Sequence, residues 1–414
     1  MAMRLLWIGC FSYLLIGFTH VIIGSVLPEL LHLYGKSYSA GGDLVFAQFF
    51  GLLTGVLCMP WLVRRLGRRS SLVLAFGCMT VAETWISFLP PWPGLLLLAF
   101  AAGFGFGLVE SSVGTLVLRA VRDRQAVAMS RLEVFFGLGA LLMPFISGFL
   151  IAYGLWTCSF WFLGLSSLCM LLFWRKLSFG EEMDAYLIHR SGAEPESSGE
   201  TAAGRAEAEG TSPVKAAAAV GYRRGSLPLL IAFIAVFFMY VGSEVSLIHY
   251  LPSVFIENFS LTSSASTISV TIYWAAMVAG RMVAGFAAER AGYARYLLLT
   301  CIVSVFALIG LAVAANLWAA YALVLALGLL MAGMFSIALV YANQLLPGTT
   351  ERTTSLLIAS GGLGGAVMPL LLGRLMDAAS ASASLWCVSG AALLMFGLIG
   401  AARLGQAKRM SVSA

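Results

Sequence analysis

Charge is what this sequence has least of. Asp, Glu, Lys and Arg together make up 11% of 414 residues, against roughly 25% in an ordinary soluble domain. Too few polar groups remain to build a water-facing surface. Histidine is scarce as well: His20, His32, His189 and His249 are scattered, so neither a catalytic His-Asp pair nor a metal set is indicated. The seven cysteines, Cys10, Cys58, Cys78, Cys158, Cys169, Cys301 and Cys387, lie in or beside apolar stretches without CxxC or His-Cys spacing, which excludes disulfide-framework and zinc readings. Gly103-Phe-Gly105-Phe-Gly107 has no strand pattern before it and no Lys-Ser/Thr after it, so it reads as helix packing, not as a nucleotide loop. No cofactor, no metal and no catalytic cluster is expected, and the protein is not expected to be an enzyme. A net charge of +6 would fit nucleic acid only with the basic residues gathered on a wet face; here they sit in short runs between apolar segments.

Apolar residues are what the chain has in excess, at 60%. A spanning helix needs about 20 of them, so the supply suits about twelve such helices. Breaking the chain at charged and Gly/Pro-rich points gives segments at about 5–31, 42–63, 70–89, 94–118, 130–152 and 155–174, then about 227–251, 265–288, 296–315, 318–345, 354–376 and 384–403. The first is too long for a signal-peptide core and lacks a persuasive cleavage site, so it counts as a span. The expected fold is an all-α membrane protein of twelve transmembrane helices in two six-helix pseudo-repeats. Residues 1–174 form the first bundle, 175–224 a linker and 225–414 the second bundle with a short tail. The Ala, Glu, Gly and Ser-rich stretch at 191–210 cannot bury enough apolar surface to order itself, so the linker is expected to be partly disordered.

Basic residues follow one parity. Arg64, Arg65, Arg68, Arg69, Arg119, Arg122, Arg124, Arg175, Lys176, Arg223, Arg224, Arg290, Arg295, Arg352, Lys408 and Arg409 fall on one side of the segments, and Lys36 and Arg374 toward the other. The positive-inside rule then puts both termini and the linker in the cytoplasm of a multi-pass cell-membrane protein. The halves also repeat. Gly137-Leu-Gly139 with Met143-Pro144 and Gly148 returns as Gly362-Leu-Gly364 with Met368-Pro369 and Gly373, and Arg65-Leu-Gly67 returns as Arg290-Ala-Gly292. Both pairs share one offset (369 − 144 = 225; 292 − 67 = 225). Duplicated bundles with a midplane site between them are the plan of alternating-access permeases.

These features resemble the major facilitator superfamily, whose loop between helices two and three follows Gly-x-x-x-Asp-Arg-x-Gly-Arg-Arg. Gly285, Glu289, Arg290 and Gly292 match it in the second half, and Arg65, Gly67, Arg68 and Arg69 in the first, where Pro60 and Arg64 stand in place of the leading Gly and the Asp. Within that superfamily, Gly107-Leu-Val-Glu110-Ser-Ser and Tyr240-Val-Gly242-Ser-Glu244 are similar to the fucose and glucose permease branch, although Gly114 replaces an Asn and the first helix carries Thr19, His20 and Ser25 where that branch has an acid. The resemblance implies a major facilitator fold and a secondary transporter that moves a small polar solute, a sugar, with a proton or sodium ion. The alternative reading is a drug or metabolite efflux antiporter, supported by the aromatic and Met content.

Polar residues inside apolar segments carry the functional expectations, because a charge in the bilayer must face a cavity, pair or be neutralised. Glu110 and His20 are the candidates for proton coupling; Glu244, Gln48, Tyr240, Trp274, Asn343 and Gln344 are the candidates for binding substrate. Glu83 on helix three reads as an interhelical or lipid-side group. Arg65, Gly67, Arg281, Glu289 and Arg290 are expected to form a cytoplasmic gate, with Arg131 and Glu133 beside it. Gly139, Pro144, Gly364 and Pro369 read as helix hinges. The expected partners are the small-molecule substrate, the coupling ion and the lipid bilayer, with no nucleic acid, for a protein acting as a monomer.

Overall fold

The computed structural model describes residues 2–120, 125–178, 184, 187, 227–346 and 350–413. The expected linker lies almost entirely outside them. In the first half are α1 (Ala2–Tyr34), α2 (Tyr38–Leu66), α3 (Arg68–Ile86), α4 (Trp92–Ala120), α5 (Gln125–Ala152) and α6 (Cys158–Lys176). In the second are α7 (Leu227–Phe259), α8 (Ser263–Ala291), α9 (Tyr293–Ala312), α10 (Leu317–Leu345), α11 (Thr350–Ala378) and α12 (Ala381–Ser413). Lipid offers no partner for a free N–H or C=O, so the backbone satisfies itself within helices. Eleven of the twelve are long and apolar enough to cross a membrane. The exception, α3, carries Arg68, Arg69 and Glu83 in 19 residues and packs against α4 and α6.

The repeat read from the sequence is a repeat of packing. In the first half α1 pairs with α5, α2 with α4 and α3 with α6; in the second, α7 pairs with α11, α8 with α10 and α9 with α12. The turn glycines match too. Gly67 has φ 83° and Gly292 φ 84°, a region that costs glycine little, and each N–H closes the helix before it, on Val63 and Ala288, while each carbonyl opens the next. A Cβ on Gly139 would meet the Leu14 carbonyl at 2.2 Å, and one on Gly364 the Phe238 carbonyl at 2.0 Å. These glycines let helices touch within a half, on α1–α5 and α7–α11.

We call the end that holds both termini the terminal face and the other the distal face. The halves meet along α1–α7, α2–α11 and α5–α8. Where a glycine brings backbone against backbone across this boundary, it does so toward the distal face: Gly24 against His249, Gly42 against the Pro369 carbonyl, Gly373 against the Tyr38 carbonyl and Gly148 against the Ser264 carbonyl. Side chains complete that seal. The Asp377 carboxylate accepts from the N–H groups of Tyr38 and Ser39, each at 2.8 Å, and from the Ser39 hydroxyl. Tyr38 donates its hydroxyl to Glu257 at 2.7 Å, and Tyr250 donates to the Pro369 carbonyl at 3.0 Å.

Candidate substrate and ion pathway between the halves

At mid-depth the boundary is aromatic. The His20 ring of α1 lies 5.3 to 6.0 Å, centroid to centroid, from Phe49, Phe106, Phe136 and Trp274. His249 of α7 approaches Phe49 from the second half at 6.0 Å. Its Nδ1 donates to the Val245 carbonyl at 2.8 Å, which fixes that nitrogen as the protonated one, and its Nε2 has no partner. His20 Nδ1 and Trp274 Nε1 are likewise buried without partners. Groups of this kind, a bare acceptor and a free donor beside aromatic faces, can read hydroxyls and cover an apolar ring face.

Toward the terminal face the boundary becomes charged. Arg281 of α8 pairs with Glu133 of α5 at 3.4 Å across the two halves, and its guanidinium lies 5.8 Å over the Trp274 ring. Glu110 of α4 is exposed; Tyr13 of α1 donates to its backbone carbonyl at 3.3 Å, and Glu133 is the charge that acts on its carboxyl. Glu244 of α7 is half-buried and interacts with Arg281 and Tyr240. Two carboxylates, Glu133 and Glu244, thus act on one guanidinium, and Glu110 joins them through Glu133. Tyr240 and Tyr273 both direct their hydroxyls at Met331, one to its carbonyl at 2.9 Å and the other to its sulfur at 3.4 Å. That carbonyl is available because α10 is interrupted between Met331 and Met334. Broken helices beside a midplane site are a transporter feature.

The structure therefore gathers Glu110, His20, Glu244, Tyr240 and Trp274 along one boundary, and adds Arg281, Glu133, Tyr273 and His249. It separates the others. Gln48 is 2% exposed and donates to the Thr19 carbonyl at 2.7 Å, so it faces the interior of the first bundle. Asn343 lies at the terminal end of α10, where it donates to the Leu339 carbonyl and to Thr354, and Gln344 beside it is exposed. The expected Arg281–Glu289–Arg290 network does not form: eight residues of helix put about 12 Å between 281 and 289, and Arg281 turns to Glu133 instead. Arg290 lies over the Phe286 ring at 4.1 Å and Arg65 over Trp61 at 5.7 Å, while Gly67 is a turn residue. Pro144 and Pro369 are buried inside α5 and α11. Glu83, 1% exposed, is not on the lipid side. Arg69, of the loop motif, donates to the Trp174 and Leu177 carbonyls at the end of α6 and pairs with Asp184 at 3.6 Å.

A family model, the Major Facilitator Superfamily, matches residues 9–347 and 232–409. The chain belongs to the Major Facilitator Superfamily. It is 30% identical over 367 residues to the glucose/mannose transporter GlcP of Bacillus subtilis (strain 168), spanning 88% of this chain and 86% of that protein. It is 26% identical over 190 residues to the niacin transporter NiaP of Acinetobacter baylyi, spanning 45% of this chain and 42% of the other. Among solved structures, the superfamily fold recurs in a D-xylose-proton symporter with a TM-score of 0.72 at 15% identity, covering 94% of this chain and 96% of that one. A bacterial homologue of the lysosomal transporter Spinster, in an inward-facing, unoccupied conformation, gives a TM-score of 0.72 at 13% identity over 98% and 96% of the two chains.

Proposed function

We propose that this superfamily member is a cation-coupled hexose transporter of the plasma membrane, acting as a monomer with its terminal face in the cytoplasm. The observation that carries the substrate class is its identity with the glucose/mannose transporter over nearly the full length of both chains. The parity of basic residues supports the orientation. Sugar is held at mid-depth, where Trp274 and the phenylalanines cover its ring and the free nitrogens of His20, His249 and Trp274 meet its hydroxyls. The charged set supports ion coupling. Glu110, Glu133 and Glu244 outnumber Arg281, so the cluster carries surplus negative charge that a proton neutralises, and Glu110 and Glu133 are the members of that set open to water in this conformation. Binding energy at the site is spent on moving the halves, which a coupled cation can bias only by favouring one arrangement over the other.

The experiment is uptake of labelled glucose and mannose into proteoliposomes holding the full chain, with an inward proton gradient, an inward sodium gradient or neither. Accumulation above the outside concentration under one gradient is expected, and Glu110→Gln is expected to abolish accumulation while keeping sugar-for-sugar exchange. Absence of any hexose movement in the unmodified protein overturns the substrate class. Accumulation that survives Glu110→Gln removes Glu110 from the coupling step.

A further inference from the structure

Three buried oxygens in the core of the first bundle lack a hydrogen-bond partner, and they sit behind the sugar site. Glu83 of α3, Gln48 of α2 and Thr19 of α1 are 1%, 2% and 0% exposed. Glu83 Oε2, Gln48 Oε1 and Thr19 Oγ1 are all unpaired. The three groups converge on one point of α1: Gln48 donates its amide to the Thr19 carbonyl at 2.7 Å, and the Thr19 hydroxyl is turned toward the Glu83 carboxyl, the one polar side chain that interacts with it, outside hydrogen-bond geometry. Unpaired buried polar atoms are costly, and an ionised carboxylate sealed at membrane depth is costlier still. Three from three helices in one place indicate something missing. Its sign follows from the inventory. A carboxylate and an amide oxygen are acceptors only; the donors at hand are the Thr19 hydroxyl and the second N–H of the Gln48 amide, the first being engaged by the Thr19 carbonyl, and neither carries a charge. The set is short of positive charge.

Among the described residues, nothing nearby supplies it. Helix α6 presents Gly164 against Thr84, beside Glu83, and α4 presents Gly103 and Gly105 against α2 and α3. The titratable groups of the packed helices face elsewhere: His20 into the aromatic cage, Asp43 toward Tyr250, and Glu110 toward Tyr13 and Glu133. Arg69 with Asp184 lies at the terminal end of α3, fourteen residues or about 21 Å from Glu83.

We propose that Glu83, Thr19 and Gln48 form a binding site for a monovalent cation, a proton or a sodium ion, separate from the charged set between the halves. Carboxylate, amide and hydroxyl oxygens are the ligands a hard cation takes, and a proton on Glu83 lets it donate to the Gln48 amide oxygen. The site communicates with sugar through α1. Thr19 and His20 are consecutive, one facing the cation and the other the aromatic cage, so filling the site fixes the helix segment that carries His20. The coupling is reciprocal: the cation tightens sugar binding and sugar tightens cation binding. This link to sugar rests on the function proposed above; the site itself does not.

The test separates the two. The purified full-length protein is melted in detergent without sugar, first in sodium against choline at fixed pH, then across pH in choline. A melting temperature raised by sodium identifies sodium as the occupant, and one raised by acid alone identifies the proton. Glu83→Gln is expected to lose the sodium-induced rise or, where the proton is the occupant, to rise less with acid than the unmodified protein, because an amide at 83 supplies no charge to balance sodium and takes no proton. Glu110→Gln is expected to keep the part of the response that Glu83→Gln loses. Should Glu83→Gln fail to fold, Thr19→Val answers the same question, with the midpoint in sodium concentration or proton activity moved by roughly tenfold or more, the scale on which supporting ligand contacts act. A wild-type protein with no cation response, a response retained in full by Glu83→Gln, or an unmoved midpoint in Thr19→Val overturns the proposal. Repeating the titration with glucose tests only the link to sugar.

Discussion

A single ion pair between two halves of a membrane protein can matter to motion without mattering to stability. Glu133 and Arg281 are 51% and 33% exposed at their side chains, and pairs that wet contribute about 0–1 kcal/mol. Removing the pair should therefore leave the melting temperature within roughly 4 °C of wild type. Its effect on transport should be much larger, because Arg281 pairs with Glu133 across the halves and also acts on Glu244. Arg281→Gln is expected to cut hexose uptake at least tenfold while the protein still purifies and melts normally. The exchanged pair Glu133→Arg with Arg281→Glu should recover part of that loss if the contact between the halves is what counts. Uptake by Arg281→Gln equal to wild type would remove the pair from the cycle. A single variant that is both inactive and unfolded would assign it a structural role.

At the scale of elements, helix contact here is made by glycine, since lipid gives helices no hydrophobic reason to associate and close packing takes over. Between α2 and α4, a Cβ on Gly103 would lie 1.8 Å from the Gln48 carbonyl, one on Gly107 2.1 Å from that of Leu52, and one on Gly51 2.1 Å from that of Phe100. Each obstacle is backbone, which cannot rotate away. Gly103→Ala is expected to destabilise the protein by about 1–3 kcal/mol, as overpacking does, whereas Gly390→Ala, with nothing within 4 Å, should be neutral or slightly stabilising. Thermal melting of the two purified variants checks this, and equal melting would show that α2 and α4 separate freely.

The sequence announced these contacts because glycine spacing survives translation into helices, and it announced the duplication for the same reason. It also showed which residues were too polar for lipid. It did not show direction around a helix. Gln48 and Glu110 look alike as isolated polar positions, yet one points into the bundle core and the other to the boundary. Nor does it show depth: Asn343 and Gln344 fall at the end of α10, and Arg281 lies two turns deeper than Glu289 and Arg290. Nothing in a linear list of four histidines says that His249 meets His20 across Phe49. The break in α10 leaves only Gly328 and Gly333 as a local sign.

Over the whole molecule, the distal face is closed by a contact in which one half caps a helix of the other. The first turn of α2 needs acceptors for its free N–H groups, and Ser37, at the capping position, makes no side-chain cap. Asp377, at the end of α11, takes that place from the opposite half, accepting from Tyr38 and Ser39. Its charge also suits the positive end of the helix. The cap exists only while the halves touch distally, so its full worth weights that arrangement. A lost cap costs about 0.5–2 kcal/mol, and 1.4 kcal/mol is a tenfold shift in population. Glu257, which accepts from the Tyr38 hydroxyl at 2.7 Å and from the Ala381 N–H at 3.0 Å, still holds the face when Asp377 is removed, so the shift should be partial. Asp377→Ala should accordingly add a distally open population while leaving the mid-depth site intact. Lys36 and Arg374, exposed and one on each half, are the places to see it: spin labels at Lys36→Cys and Arg374→Cys, in a chain whose native cysteines are replaced, should gain a longer-distance component in Asp377→Ala. Asp377→Asn, which keeps one acceptor oxygen and loses the charge, should fall between. Identical distance distributions in all three chains would mean that α2 is held at the distal face by the packing of Gly42 and Gly373 alone.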